Sequence, residues 1–184
     1  MSAKIALACG LALALTCAAQ PPPPGEEGTP KPAASGGDPI DFKKLLPIFP
    51  EAPSGWNAEE AEGSTEEMGD TQISTAHRDY SKGEAKDSPT TSISILDSVA
   101  SPDYVEMTTS GWKNSETNAE GYSKPVTIDG TAGFETFENE GKHGTLWLLV
   151  AKRYFLQIET TGQDAKELQE WLKRIDLKKL AALK

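Results

Sequence analysis

Cysteine and histidine are scarce in this chain of 184 residues, and their scarcity excludes several kinds of chemistry. Both cysteines, Cys9 and Cys17, lie within the first 17 residues, so the remainder can form no disulfide, thiol nucleophile or thiolate metal site. His77 and His143 lack the paired spacing of zinc ligands. His77 and Asp79 share one face of a predicted strand, which is typical of a solvated strand. The sequence therefore predicts no metal, no cofactor and no catalytic residue, and we do not expect an enzyme.

Positive charge and long apolar runs are scarce as well. Eighteen Lys and Arg residues stand against 28 Asp and Glu residues, which gives a formal net charge of −10. A surface that binds nucleic acid is basic, so nucleic acid is not an expected partner. The charge-free apolar run over residues 5–19 has 15 residues, fewer than the roughly 18 that indicate a membrane-spanning helix.

The first 19 residues have the pattern of a secretory signal peptide, and two cleavage sites fit them. A positive charge at Lys4 precedes the apolar run, which ends in small residues. The stretch from Ala14 to Cys17 resembles a bacterial lipobox, with cleavage before Cys17 and acylation of its sulfur by chains such as palmitate. Small residues at positions 17 and 19 also fit ordinary signal-peptidase cleavage after Ala19.

Residues 20–39 are rich in proline and contain no Val, Ile, Leu or aromatic residue. Seven of these 20 residues are Pro and four are Gly. Such a stretch buries too little apolar surface to fold, so we expect a disordered, extended tether. A tether suits a lipid anchor at Cys17 better than a free terminus. The resemblance to lipoproteins, with Ala18 rather than Asp after the cysteine, implies the outer membrane of the cell envelope. A secreted or periplasmic protein is the alternative.

Residues 40–184 are expected to form one folded domain, because all 13 aromatic residues lie after residue 41. Alternating side chains predict strands over 71–80 and 90–99. Residues 58–70 read as an acidic loop or a weak edge strand. The dipeptide Asp129-Gly130 predicts a tight hairpin between two further strands. Two aromatic residues in the second strand of this hairpin are expected in the core, namely Phe134 and Phe137.

The end of the chain predicts a central hairpin and a closing helix. Residues 146–151 are apolar on both faces, so we expect a central strand with Trp147 buried, paired with residues 154–160. Another helix begins at Ser101-Pro102. The closing helix breaks at Asp176 and has one apolar face, formed by Leu168, Trp171, Leu172 and Ile175. Together these elements predict an α+β domain with an antiparallel sheet of six or seven strands and two main helices packed on it.

The order of these elements resembles a known superfamily. Gly55-Trp56 come first, the hairpin from Tyr122 to Gly130 follows paired strands and a helix, and a helix ending Ile175-Asp176-Leu177 closes the domain. Over residues 45–180 the pattern is similar to the PsbP-like fold. Its members include a photosystem II extrinsic subunit, a Ran-release factor and bacterial DcrB-like lipoproteins. The resemblance implies a mostly non-catalytic accessory role and assigns no functional residue.

Charge is distributed unevenly along the domain. Residues 40–140 hold 20 acidic and 7 basic residues, whereas residues 141–184 hold 5 and 9. The basic end, through Lys173, Arg174, Lys178, Lys179 and Lys184, would suit an anionic envelope surface or partner. We therefore expect a non-catalytic binding or scaffold protein, anchored to the membrane by lipid, with an envelope protein as partner. The alternative is a carrier or sensor that holds a small apolar ligand between helix and sheet. The sequence does not identify its ligand-binding residues.

Overall fold

The computed structural model describes residues 37–68, 71–85 and 87–184. The predicted signal segment with Cys17, and the predicted tether as far as residue 36, lie outside these residues. Within the described part of the chain, no helix is both long enough and apolar enough to cross a membrane.

One antiparallel sheet forms the centre of the domain, and its strands fall into two meanders. The described residues form nine strands: β1 (Asn57–Ala58), β2 (Glu62–Met68), β3 (Thr71–Ser81), β4 (Thr90–Asp97), β5 (Glu116–Thr117), β6 (Gly121–Ile128), β7 (Thr131–Glu138), β8 (His143–Val150) and β9 (Tyr154–Thr161). Their order is β1-β3-β4-β9-β8-β7-β6-β5, with β2 also paired to β3. The first meander, β1 to β4, meets the second, β5 to β9, where β4 pairs with β9 in register from Thr90↔Thr161 to Asp97↔Tyr154.

Three short α-helices and several 3-10 turns surround this sheet. The helices are α1 (Pro102–Ser110), α2 (Lys166–Leu172) and α3 (Leu177–Ala181), and the 3-10 turns include Phe42–Lys44, Leu46–Ile48 and Gly111–Lys113. Proline occupies the first turn of α1, where its missing N–H costs nothing. Asp176 caps α3 by accepting a hydrogen bond from the backbone N–H of Lys179 at 2.9 Å. The predicted helix start and the predicted break at Asp176 are both confirmed.

The two faces of the sheet have different environments. Residues directly opposite each other in register share a face. On the core face, alternate residues of β4, β8 and β9 are fully buried beneath α2, α3 and the opening segment 40–50; they include Ile93, Ile95, Leu146, Leu148, Leu156 and Ile158. The opposite face, which we call the outer face, carries α1.

The α+β class and the antiparallel sheet are confirmed, and three details differ from the prediction. The described residues form nine strands, because β1 and β5 are two-residue pairings without a sequence pattern of their own. Trp147 was predicted in the core, but it lies half-buried on the outer face. The prediction that Phe134 lies in the core was also wrong. Phe134 is three positions from the buried Phe137, and an odd spacing along a strand places it on the other face.

A buried ion pair fastens the opening segment to the sheet. Asp97 is fully buried at the end of β4, and Arg153 donates two hydrogen bonds to its carboxylate, at 2.9 Å from Nε and 2.7 Å from Nη2. The backbone N–H groups of Ile40 and Val99 donate to the same carboxylate, at 2.9 and 3.2 Å. These four donors come from three chain segments. The Asp97 side chain therefore holds the opening segment, at Ile40, against the end of β4 and the turn before β9.

Candidate functional site: the cleft beneath helix α1

Helix α1 rests on the outer face through few contacts. None of its residues is buried, and Met107 and Tyr104 are the large apolar side chains most exposed in the described domain. The rings of Tyr104 and Trp112 contact Phe155 edge to face, with centroids 5.6 and 6.1 Å apart. The aromatic contacts of α1 and of the turn that follows it therefore converge on one ring, Phe155, and a space remains beside that ring.

This space, the α1 cleft, has a volume of about 290 Å³. Its apolar walls are formed by Leu96, Tyr104, Trp147 and Phe155, and its polar rim by Thr75, His77, Ser94, Thr108 and Gln157. No Lys, Arg, Asp or Glu lines it. Small-molecule sites are apolar concavities with a few polar groups, and the smallest enclose about 300 Å³. The α1 cleft therefore has the lining and the size of a site for one small molecule.

Strand register and helix periodicity together build the cleft. His77 pairs with Ser94, Ser94 with Gln157, and Gln157 with Trp147, so these four side chains form one row across four strands. Residues four apart on a helix share a face. Tyr104 and Thr108 of α1 accordingly both reach this row.

The polar rim has unused hydrogen-bonding capacity. Among the described residues, the side chains of His77, Ser94 and Thr108 form no hydrogen bond with one another or with any other group. Gln157 makes only a long one, from Nε2 to the Oε2 of Glu159 at 3.4 Å. His77 and Ser94 face each other across β3 and β4, yet no hydrogen bond joins them into a nucleophile and base. The rim therefore offers hydrogen-bond donors and acceptors to a ligand.

A second polar cluster lies under α2 and is fully paired. Glu135, buried on β7, accepts hydrogen bonds from Tyr122 Oη at 2.7 Å and Gln169 Nε2 at 2.8 Å, and Lys124 Nζ lies 3.2 Å away. Burial, together with the hydrogen bond to Glu135, raises the pKa of the Tyr122 phenol. This cluster joins α2 to β6 and β7, and both oxygens of the Glu135 carboxylate have partners within it.

The charged residues singled out from the sequence lie away from the cleft. His143 lies at the end of β8, where its Nε2 is 3.7 Å from Glu159. The described part of the acidic run predicted over residues 58–70 largely follows β2 at the sheet edge, so the alternative of an edge strand is confirmed there. The five basic residues Lys173, Arg174, Lys178, Lys179 and Lys184 are exposed on the helical side.

Sequence reasoning missed most of the residues that line the α1 cleft. Only His77 had been considered, and it lies exposed on the cleft rim. Trp147 gave no signal of its own, because its neighbours Leu146 and Leu148 are also apolar and either side of the strand could face the core. Cys17, the predicted lipidation site, lies outside the described residues.

Comparisons with family models, curated proteins and solved structures find no match to this chain.

Proposed function

We propose that this protein is a non-catalytic binding protein that holds a small, uncharged molecule in the α1 cleft. The observation that carries the proposal is the lining of the cleft, which combines three aromatic rings with a rim of polar side chains and contains no Lys, Arg, Asp or Glu. Aromatic walls favour a ligand with a flat apolar face, since such faces pack closely on rings. Hydroxyl and amide groups favour a hydrogen-bonding edge.

The absence of lining charges argues for an uncharged ligand. A charged group moved from water into a partly apolar cleft loses hydration free energy, and only a paired opposite charge compensates for this loss. The α1 cleft provides no such pair. Its position between α1 and the sheet matches the carrier or sensor expected as an alternative from the sequence, and it makes that alternative the favoured function.

The cellular setting of this function is also proposed. Acylation at Cys17 would anchor the chain to the outer membrane of a cell envelope, and residues 20–39 would hold the domain away from the anchor. Seven strands have seven or more residues, and helices lie on both faces of the sheet. These features support a PsbP-like α+β domain, for which we also propose an accessory role.

A scaffold role is the second candidate, and a specific observation favours it. Exposed lysines from the first and last parts of the described domain meet on the helical side, where Lys44 Nζ donates to the backbone oxygen of Lys184 at 3.0 Å and Lys179 Nζ to that of Pro47 at 2.8 Å. An anionic envelope partner would contact this surface rather than the α1 cleft.

Ligand-observed NMR on the full chain tests the proposed function. The panel consists of small, uncharged ring compounds, including glucose, inositol and indole, in a detergent without a sugar headgroup. Ser94→Leu fills the cleft, and Thr90→Leu is the matched control, because residue 90 lies four positions along the same face of the same strand, outside the cleft. We expect at least one compound to bind the native chain and the Thr90 variant but not the Ser94 variant. Binding that survives Ser94→Leu would refute the proposed site.

A further inference from the structure

The outer face continues beyond the α1 cleft as an open surface rich in hydroxyl groups. Strands β3, β4, β6, β7 and β9 all place Ser or Thr on this face, including Ser92, Ser123, Thr136 and Thr161. We call the central part of this surface the outer platform, and it is formed by Ser92, Phe134, Thr136, Trp147, Gln157 and Glu159. All six side chains are half-buried, so each still reaches solvent.

Two aromatic rings and a polar network lie side by side on the outer platform. Phe134 and Trp147 are direct cross-strand partners on β7 and β8. Next to them, Glu159 is approached by Gln157 at 3.4 Å and by His143 at 3.7 Å. A ligand above these residues meets aromatic rings and hydrogen-bonding groups in adjacent rows.

The charge of the outer face restricts the classes of ligand that can bind there. The outward positions of the paired strand residues hold six carboxylates, Glu62, Glu66, Asp79, Glu116, Glu138 and Glu159, but no Lys or Arg. Nucleic acid, anionic lipid and anionic polysaccharide would therefore be repelled. An uncharged ligand rich in hydroxyl groups would instead donate to these carboxylates.

An extended polysaccharide has the complementary surface. A pyranose ring in which all substituents are equatorial presents C–H groups on its faces and hydroxyl groups at its edges. The C–H faces pack on aromatic rings, and the hydroxyl edges bond to Ser, Thr, Gln and carboxylate groups. The five strands from β4 to β6 span about 19 Å at about 4.8 Å per strand, which is the length of roughly four linked rings.

We propose that the outer platform binds an extended, uncharged, β-1,4-linked polysaccharide, one ring of which occupies the α1 cleft. The proposal rests on the proposed function, because it takes that ring to be the small molecule of the cleft. A β-1,4 chain is a flat ribbon and follows a sheet face, whereas an α-1,4 chain coils away from it.

Calorimetric titration of the full chain, in a detergent without a sugar headgroup, tests this assignment. The probes are glucose and N-acetylglucosamine, their β-1,4 hexasaccharides, and maltohexaose as the α-linked control. We expect one β-1,4 hexasaccharide to bind at least about tenfold more tightly than its monosaccharide. Maltohexaose should bind no better than glucose.

Two variants identify the outer platform as the source of the added affinity. Phe134→Ala should lower hexasaccharide affinity by about tenfold and leave monosaccharide affinity within about twofold. Thr136→Lys should do the same by placing a long side chain across the platform. The controls are Phe42→Ala, which removes a half-buried ring away from the outer face, and Ser54→Lys on an exposed loop.

Every other outcome would refute the assignment of a polysaccharide to the outer platform, and the outcomes differ in what they mean for the proposed function. Equal affinities for monosaccharide and hexasaccharide, or full affinity after Phe134→Ala, leave the cleft as a small-molecule site only. Binding of another ring compound, without any saccharide, removes the polysaccharide but keeps the proposed function. A dimer that Thr136→Lys dissociates would assign the outer platform to a second copy of the chain.

Discussion

Replacing Asp97 by Asn exchanges one carboxylate oxygen for an amide nitrogen. Among such replacements of a polar side chain by one of the same shape, we expect this one to destabilise the domain most. The native carboxylate accepts two hydrogen bonds from Arg153 and one each from the backbone N–H groups of Ile40 and Val99. An amide can accept at only one of its two terminal atoms. The Asp97→Asn variant would therefore direct an NH₂ group at donors and leave the Arg153 charge without its partner.

The burial of Asp97 sets the size of the effect. The Asp97 side chain is 0% exposed and that of Arg153 is 21% exposed. Removing one member of a buried ion pair costs about 3–5 kcal/mol, because the other charge stays desolvated. Domains of this kind have a free energy of unfolding of about 5–15 kcal/mol, so the loss is a large share of the total. Urea unfolding followed by tryptophan fluorescence, with the slope held common to both proteins, measures it.

Asp164→Asn is the matched control. Asp164 forms an ion pair with Lys142 at 2.8 Å, nearly the same distance as in the Asp97–Arg153 pair, but its side chain is 62% exposed. We expect no resolvable change in the urea midpoint for this variant, because water replaces the lost partner. Equal midpoint shifts for the Asp97 and Asp164 variants would refute the reasoning from burial.

Three further predictions concern the core, the pH dependence and the processing of the chain. Trp171→Ala should cost about 3–5 kcal/mol in chemical denaturation, and Trp147→Ala clearly less, since only Trp171 is buried; the reverse order would contradict the assignment of the two faces. Burial raises the pKa of Tyr80 to about 12 from 10.0, so the urea midpoint should hold up to pH 10 and fall between pH 10 and 12. In Tyr80→Phe the urea midpoint should fall less between pH 10 and 12, and an equal fall in both proteins would contradict the assignment to Tyr80. Intact mass of the membrane fraction should show a chain that begins at an acylated Cys17, whereas a chain that begins at Gln20 would show ordinary signal cleavage.

The strands and their turns were predictable because their signals are local. Alternating side chains over 71–80 and 90–99 correspond to β3 and β4. Asp129 and Gly130 both adopt positive φ, 49° and 79°, as the tight hairpin between β6 and β7 requires. Each signal is contained within about ten residues, so one sequence is sufficient to detect it.

The ion pair and the α1 cleft were not predictable because their partners are distant in the chain. Asp97 and Arg153 are separated by 56 residues, and no local pattern pairs them. The faces of β8 were ambiguous for another reason. Leu146, Trp147, Leu148 and Leu149 are all apolar, so hydrophobicity alone does not show which side packs against α2. The register of β8 with β7 and β9 decides which side faces the core, and this register exists only in the folded sheet.

The pairing of β4 with β9 makes the domain two pieces that associate within one chain. Eight register pairs join the meanders along this line, while the covalent link between them runs through α1, which buries none of its residues. A protease cut within α1 would therefore break the backbone without removing a core side chain. The pieces on either side would hold together as two subunits of a heterodimer do, with a sheet running continuously through their interface.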